Sequence, residues 1–281
     1  MQGLCSRGVV QAPRQMQGAG FRGLAFRPPI PSSDPMRAYA IGDVHGHLDL
    51  LRAAFARIGA DRARTGDATA PVVQVGDLVD RGPDSRGVVD FLMTTCAEDT
   101  RLTVLKGNHD NMFSAFLEAT PEADPRLRTG LTWLHPRLGG IETLASYGVN
   151  ADQPAEHIHA EAREKVPESH RRFLAGLPLS LSFGDCLFVH AGIRPGVPIA
   201  QQEPSDLYWI RDDFLRDGRD HGALVVHGHS PVDRVEHHGN RLAIDTGAAF
   251  GGPLSAVAIE GRRVFLLTDQ GREEIRPHAD A

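Results

Sequence analysis

Along this chain, hydrophobic and polar positions form five short apolar runs, each leading into polar residues that can hold a metal. Ala38–Ile41 runs into Gly42-Asp43-Val44-His45-Gly46. Val72–Val75 runs into Gly76-Asp77-Leu78-Val79-Asp80-Arg81-Gly82, and Leu102–Lys106 into Gly107-Asn108-His109-Asp110. Cys186–Val189 ends at His190, and Leu224–Val226 at His227-Gly228-His229. Apolar runs of this length, rich in Val, Ile and Leu, predict buried strands. In open α/β sheets, ligands gather beyond the carboxyl ends of the strands. Five runs ending in Asp, His and Asn therefore predict one binding centre.

Between the runs the period changes. Leu48, Leu51, Phe55 and Ile58 fall at helical spacing after the first block, with Asp49 in the first turn. Val88, Val89, Leu92 and Cys96 do the same after the second. The first half thus predicts repeated strand–ligand–helix units and a parallel α/β sheet. From Leu179 the pattern shifts to short strands, with a hairpin at His238-Gly239-Asn240 between Val232–His237 and Leu242–Asp245. Within Glu118–Gly176, the positions Trp133, Leu134, Leu138, Ile141, Leu144 and Tyr147 suggest a helical cap, followed by a charged helix at Ala155–Lys165. That segment reads equally as a surface subdomain or a substrate-shaping lid.

The expected organisation is a basic, disordered tail over residues 1–34 and a single domain over 35–281, with a helical insertion at about 118–176. Residues 1–33 carry four arginines and no acid, which leaves −10 on the remainder against a total of −6. An acidic body argues against a nucleic-acid surface, and the tail lacks the apolar core of a secretory signal or membrane span. Its composition also mimics a transit peptide, and Met36 is an alternative start of translation. Gly18-Ala19-Gly20-Phe21-Arg22-Gly23 spells a dinucleotide fingerprint but has no strand before it and a proline-rich stretch after it, so it is rejected. Cys5, Cys96 and Cys186 are scattered, which favours reduced thiols and a cytoplasmic location.

The ligand types narrow the chemistry. Carboxylate, imidazole and amide oxygen without thiolate suit Mn, Fe, Zn or Mg. Two aspartates, two or three histidines and an asparagine exceed one tetrahedral ion and suit two ions sharing a carboxylate. Of the fourteen histidines, His157, His159, His170, His221, His237 and His238 are expected in solvent.

The three N-terminal blocks resemble the signature of the metallophosphoesterases, and the Asp80-Arg81-Gly82 ending resembles the serine/threonine phosphoprotein phosphatase branch, bacterial type. The resemblance spans about Arg37 to Ile259. Gly139-Gly140-Ile141-Glu142-Thr143-Leu144, Tyr147-Gly148 and Asp245-Thr246-Gly247-Ala248 also look like that branch. It implies the calcineurin-like α/β fold: two packed mixed sheets flanked by helices, with the metals at one edge. It further implies that Asp43 and His45 hold the first ion, that Asp77 bridges, and that Asn108, His190 and His229 hold the second. His227 is the alternative to His229 and could instead orient a ligand. The implied cofactor is a pair of divalent ions, Mn²⁺ first, with Fe, Zn or Mg as alternatives. A bridging hydroxide would attack phosphorus, His109 would act as general acid oriented by Asp80, and Arg81 and Arg211 would grip phosphate oxygens.

The implied activity is a phosphoric monoester hydrolase acting on phosphoserine or phosphothreonine in a protein or peptide, with no nucleic-acid or membrane partner. A symmetric diadenosine tetraphosphatase or other nucleotide hydrolase is the alternative, with Trp133 and Tyr147 as possible stacking partners for bases. A catalytically inactive binding module ranks last. Lys106 departs from the arginine common in protein phosphatases, and Asp110 stands where those enzymes have glutamate.

Overall fold

The computed structural model describes residues 36–278, apart from residue 122. The expected disordered tail and Cys5 lie outside the described residues. One sheet has six strands in the order β11-β10-β9-β1-β2-β3: β1 (Arg37–Ile41), β2 (Val72–Gln74), β3 (Leu102–Val104), β9 (Ala256–Glu260), β10 (Arg263–Thr268) and β11 (Gly271–Ile275). β1, β2 and β3 are parallel, as the repeated strand–ligand–helix pattern requires, while β9, β10 and β11 are antiparallel. The other sheet has five strands in the order β4-β5-β6-β8-β7: β4 (Ser180–Phe183), β5 (Cys186–Val189), β6 (Leu224–His227), β7 (Glu236–His237) and β8 (Arg241–Ala243).

Side-chain alternation decides the layers. Ala38 and Ala40 of β1 face the second sheet, where they meet Phe188, Val226 and Leu242. Tyr39 and Ile41 of the same strand point the other way, into a core shared with α1 (Leu48–Thr65) and α2 (Ser85–Glu98). The second sheet's outer face, through Leu187, Val189 and Val225, packs on Phe214. The result is helices on two mixed sheets, a calcineurin-like α/β architecture. Among the described residues no helix is long and apolar enough to cross a membrane.

The expected hairpin is present, with β7 and β8 antiparallel around Gly239, although both strands are shorter than the apolar pattern suggests. In the 118–176 segment, α4 (Gly140–Ser146), α5 (Ala155–Lys165) and α6 (Glu168–Ala175) form, but Trp133–Leu138 lie in turns rather than in a helix. Gly139, at φ +84, is a left-handed residue that starts α4 and separates it from those turns. Trp133, Leu144, Tyr147, Ile158 and Leu174 share the α1–α2 core. Two histidines expected in solvent are buried instead. His170 bridges the Tyr147 hydroxyl (2.9 Å) and Asp90 (2.7 Å), and His237 lies against the Arg262 carbonyl (3.2 Å).

A buried charge network ties the far edge of the six-stranded sheet to α1. Arg272 of β11 donates twice to Asp61, at 2.7 Å each, and Asp61 also accepts from Tyr39 (2.9 Å) and Arg64 (2.9 Å). Burial raises the Asp61 carboxyl, but Arg272, Arg64 and Tyr39 outweigh it and bring it down to about 2. The stabilisation from this depressed pKa is present above the ordinary carboxyl value and is lost as pH falls through about 2. Arg272→Met would keep apolar packing on Phe265 while leaving the Asp61 charge poorly paired. It is expected to cost about 3 kcal/mol in chemical denaturation; a loss below about 1 kcal/mol would show the network contributes little.

Candidate metal centre

The carboxyl ends of β1, β2, β3, β5 and β6 converge on one point. Asp43, His45, Asp77, Asn108, His190 and His229 are all buried there. Two groups of potential ligands, His45–Asp77–His109 and Asp77–His190–His229, each bring one donor atom per residue within 4.8 Å of the others. Asp77 belongs to both. Asp43 joins them through its Oδ2, which accepts from the His229 backbone N–H at 2.9 Å. Gly228 allows this approach, because a Cβ at that position would collide with Asp43 Oδ1.

The polar atoms at this point are mismatched without a cation. His190 Nδ1–H donates to the Val75 carbonyl at 2.9 Å, which turns the Nε2 lone pair toward Asn108 Oδ1 (3.0 Å) and Asp77 Oδ1 (3.4 Å). Three acceptors facing one another call for a proton or a metal ion. His45 is held the same way, its Nδ1–H on the Val79 carbonyl at 2.8 Å, with Nε2 facing inward. Asp43 Oδ1 and His229 Nε2 are buried with no partner. Burial would lower the His190 imidazole, but Asp77 and Asp43 push it up to about 9. Burial and then the neighbouring Asp245 drive Asp43 well above the usual carboxyl range. Burial also raises Asp77, yet His190 and His109 hold it well below. A position that favours positive charge, ringed by oxygen and nitrogen donors, fits divalent ions of the Mn, Fe, Zn or Mg type.

Backbone conformation singles out the same residues. Among the described residues, the non-glycine positions with positive φ are His45 (44°), Asp77 (55°), Asp80 (74°), Arg81 (68°) and His229 (64°). Left-handed backbone costs about 1–3 kcal/mol per residue and persists where surrounding structure enforces it, typically at functional sites.

Beside the potential ligands sits a histidine–carboxylate pair. His109 Nδ1 lies 2.6 Å from Asp80 Oδ2, and the Asp80 carboxylate also accepts from Trp133 Nε1 (2.9 Å) and Thr143 Oγ1 (2.8 Å). Burial pushes Asp80 up to about 7 and His109 well down. Arg81 donates to both His45 Nε2 (2.7 Å) and His109 Nε2 (2.9 Å). Its backbone N–H donates to the Gly139 carbonyl at 3.2 Å, and a side chain at Gly139 would collide with Arg81. The insertion therefore props up the pair through Trp133, Gly139 and Thr143. Trp133 and Tyr147 are buried, with Trp133 stacked on Phe113, so neither is placed to stack on a substrate base.

Other residues stand where sequence reasoning did not assign them. Asp110 accepts from three backbone N–H groups, those of Asp77 (2.9 Å), Leu78 (2.9 Å) and Gly107 (2.8 Å), and so anchors the loop that carries Asp77. Its place in the first turn of α3 (Asn108–Phe116), where an acidic side chain can take the free N–H groups, is a signal that could have revealed it. Asp245, just past β8, is buried close enough to raise the Asp43 carboxyl. Lys106 faces away, with its ammonium on the Ala175 carbonyl at the end of α6 (3.0 Å), which gives the departure from arginine a structural role. Arg211 lies at the exposed rim, bonded to Ser230 at 3.2 Å. His227 is fully buried, lies edge-on to Phe214 and falls in neither ligand group.

The family profile described as Calcineurin-like phosphoesterase matches residues 36–254. The asymmetrical bis(5'-nucleosyl)-tetraphosphatase PrpE of Anoxybacillus flavithermus is 25% identical over 238 residues, covering 77% of this chain and 88% of that protein. Serine/threonine-protein phosphatase 1 of Salmonella typhimurium is 27% identical over 230 residues, covering 79% and 91%. Among solved structures, the cold-active protein-tyrosine phosphatase of a psychrophilic Shewanella shares the fold with TM-score 0.55 at 16% identity, covering 86% of this chain and 81% of that one.

Proposed function

Because this chain belongs to the calcineurin-like phosphoesterase family, we propose that it hydrolyses phosphoric monoesters with two divalent ions, Mn²⁺ first among them. Asp43 and His45 would hold one ion, Asn108, His190 and His229 the other, with Asp77 between. The observation that carries this reading is the pair of ligand groups sharing Asp77, together with the facing acceptors of His190, Asn108 and Asp77. When bound, such ions lower the pKa of a coordinated water and neutralise charge on the phosphoryl oxygens.

The chain's own residues do the rest. Arg81, which donates to His45 Nε2 at 2.7 Å, would give up that bond if His45 held an ion and would then be free to bind phosphoryl oxygens as a fork. Arg211 adds charge from the rim. The incoming phosphoryl anion favours the imidazolium of His109, which then protonates the leaving oxygen from Nε2 while Asp80 holds Nδ1–H. Trp133 and Thr143 keep Asp80 in place. Trp133→Phe retains the stacking on Phe113 but deletes the indole donor, and should lower kcat on an alkyl phosphate about tenfold. An unchanged kcat would remove Trp133 from the machinery.

The substrate class we propose is a phosphoserine or phosphothreonine on a protein surface. Trp133 and Tyr147, the aromatics of the insertion that could stack on bases, are committed to Asp80 and His170 inside the fold. A second reading, a dinucleoside polyphosphate, is favoured by the PrpE relatives and by Phe250. That ring is 69% exposed and lies under the Arg81 guanidinium at 5.3 Å. Kinetics on a phosphothreonine peptide and on diadenosine tetraphosphate, side by side, separate the two. Higher kcat/KM on the peptide is expected. A preference for the dinucleotide that collapses in Phe250→Ala would transfer the assignment to the second reading.

A further inference from the structure

Away from the proposed metal centre, the chain leaving the edge of one sheet reaches the edge of the other. β7 is the outer strand of the five-stranded sheet and β11 that of the six-stranded one. The chain leaving β11 crosses to β7, where the His278 backbone N–H donates to the His237 carbonyl at 2.9 Å. There it places its imidazole beside that of His238, with ring centroids 4.9 Å apart and planes inclined at 33°. Glu236 and His238, two apart at the end of a strand, project to the same side, and His238 Nε2 lies 2.9 Å from Glu236 Oε2. One donor atom from each of Glu236, His238 and His278 falls within 4.8 Å of the other two.

We infer that Glu236, His238 and His278 form a further metal site, one that takes a zinc-class ion and clips the chain leaving β11 to the edge strand β7. Two imidazoles and one carboxylate are the donors that Zn²⁺ accepts, with a water completing four-coordination, whereas Mg²⁺ and Ca²⁺ prefer all-oxygen shells. The neighbouring His237 takes no part, since its Nε2 faces the Arg262 carbonyl (3.2 Å) and its Nδ1 accepts from the Gly239 N–H (3.1 Å). Arg241 is the nearby countercharge, and it is tied to the Leu215 carbonyl at 3.0 Å. Half-buried Glu236 and His238 and exposed His278 leave the site open to solvent for ion entry. An ion here would bind the folded chain and not the unfolded one, and so raise thermal stability.

The test uses the untagged full-length protein, loaded with Mn²⁺, equilibrated with Zn²⁺, dialysed, and analysed for total metal per chain. Counting all metals together makes the result independent of exchange at the catalytic pair. Wild type is expected to hold one more ion per chain than His278→Ala or His238→Ala, and Zn²⁺ to raise the Tm of wild type but not of the variants. In Mn²⁺ alone all three proteins should hydrolyse an aryl phosphate equally. Equal metal content in wild type and both variants would overturn the site. Should His238→Ala fold poorly, the exposed His278→Ala decides alone.

Discussion

Asp77→Asn should empty the proposed metal centre and cut kcat/KM by at least about 10³, the equivalent of several kcal/mol of lost charge stabilisation. Asp77 is shared by both ligand groups, so a neutral amide there weakens both ions rather than one. The substitution is mild for the fold. Asp77 sits at φ 55°, a region asparagine tolerates, and its backbone N–H keeps its bond to Asp110. Metal analysis should therefore show loss of bound ions with a nearly unchanged Tm in chelator. In the same assay, wild-type activity should vanish with chelation and return with Mn²⁺. Full activity in metal-free wild type, or in Asp77→Asn, would end the two-ion mechanism.

His109→Asn is expected to slow hydrolysis of an alkyl phosphate such as phosphoserine by about 10²–10⁴. An activated aryl phosphate, whose leaving group needs no proton, should slow far less. Metal content should stay near wild type, because the proposed ligands of both ions do not include His109. The geometry makes the distinction sharp: the imidazole is locked at 2.6 Å on Asp80 and has only Nε2 to offer. Equal losses on both substrates would instead mean that His109 acts by holding the site together, through its imidazole between Asp80 and Arg81.

Much of the architecture was legible because it rests on local periodicity. β1, β2 and β3 and the helices that follow them each announce themselves within about a dozen residues through apolar runs and helical spacing. Residues at strand ends, from Asp43 to His229, could be named because strand ends in such sheets share an edge. His170 was misread for the opposite reason. An imidazole in a polar stretch looks solvent-facing until a buried hydroxyl arrives from elsewhere in the chain, here that of Tyr147, 23 residues away. Trp133, by sequence part of a helical cap and a possible stacking partner, is instead bonded to Asp80, 53 residues away.

Sequence alone determined the repeated strand–ligand–helix order, the oxygen and nitrogen character of the donors, and the resemblance that names the chemistry, since each depends on residue type and near-neighbour spacing. Tertiary structure alone decided that Asp110 anchors the loop that carries Asp77. It also decided that Trp133 and Thr143 of the insertion hold Asp80, and that Phe250 is the aromatic left exposed beside Arg81. Those facts depend on which of many polar groups lose water together, and that is settled only when the two sheets close and each buried donor must find an acceptor.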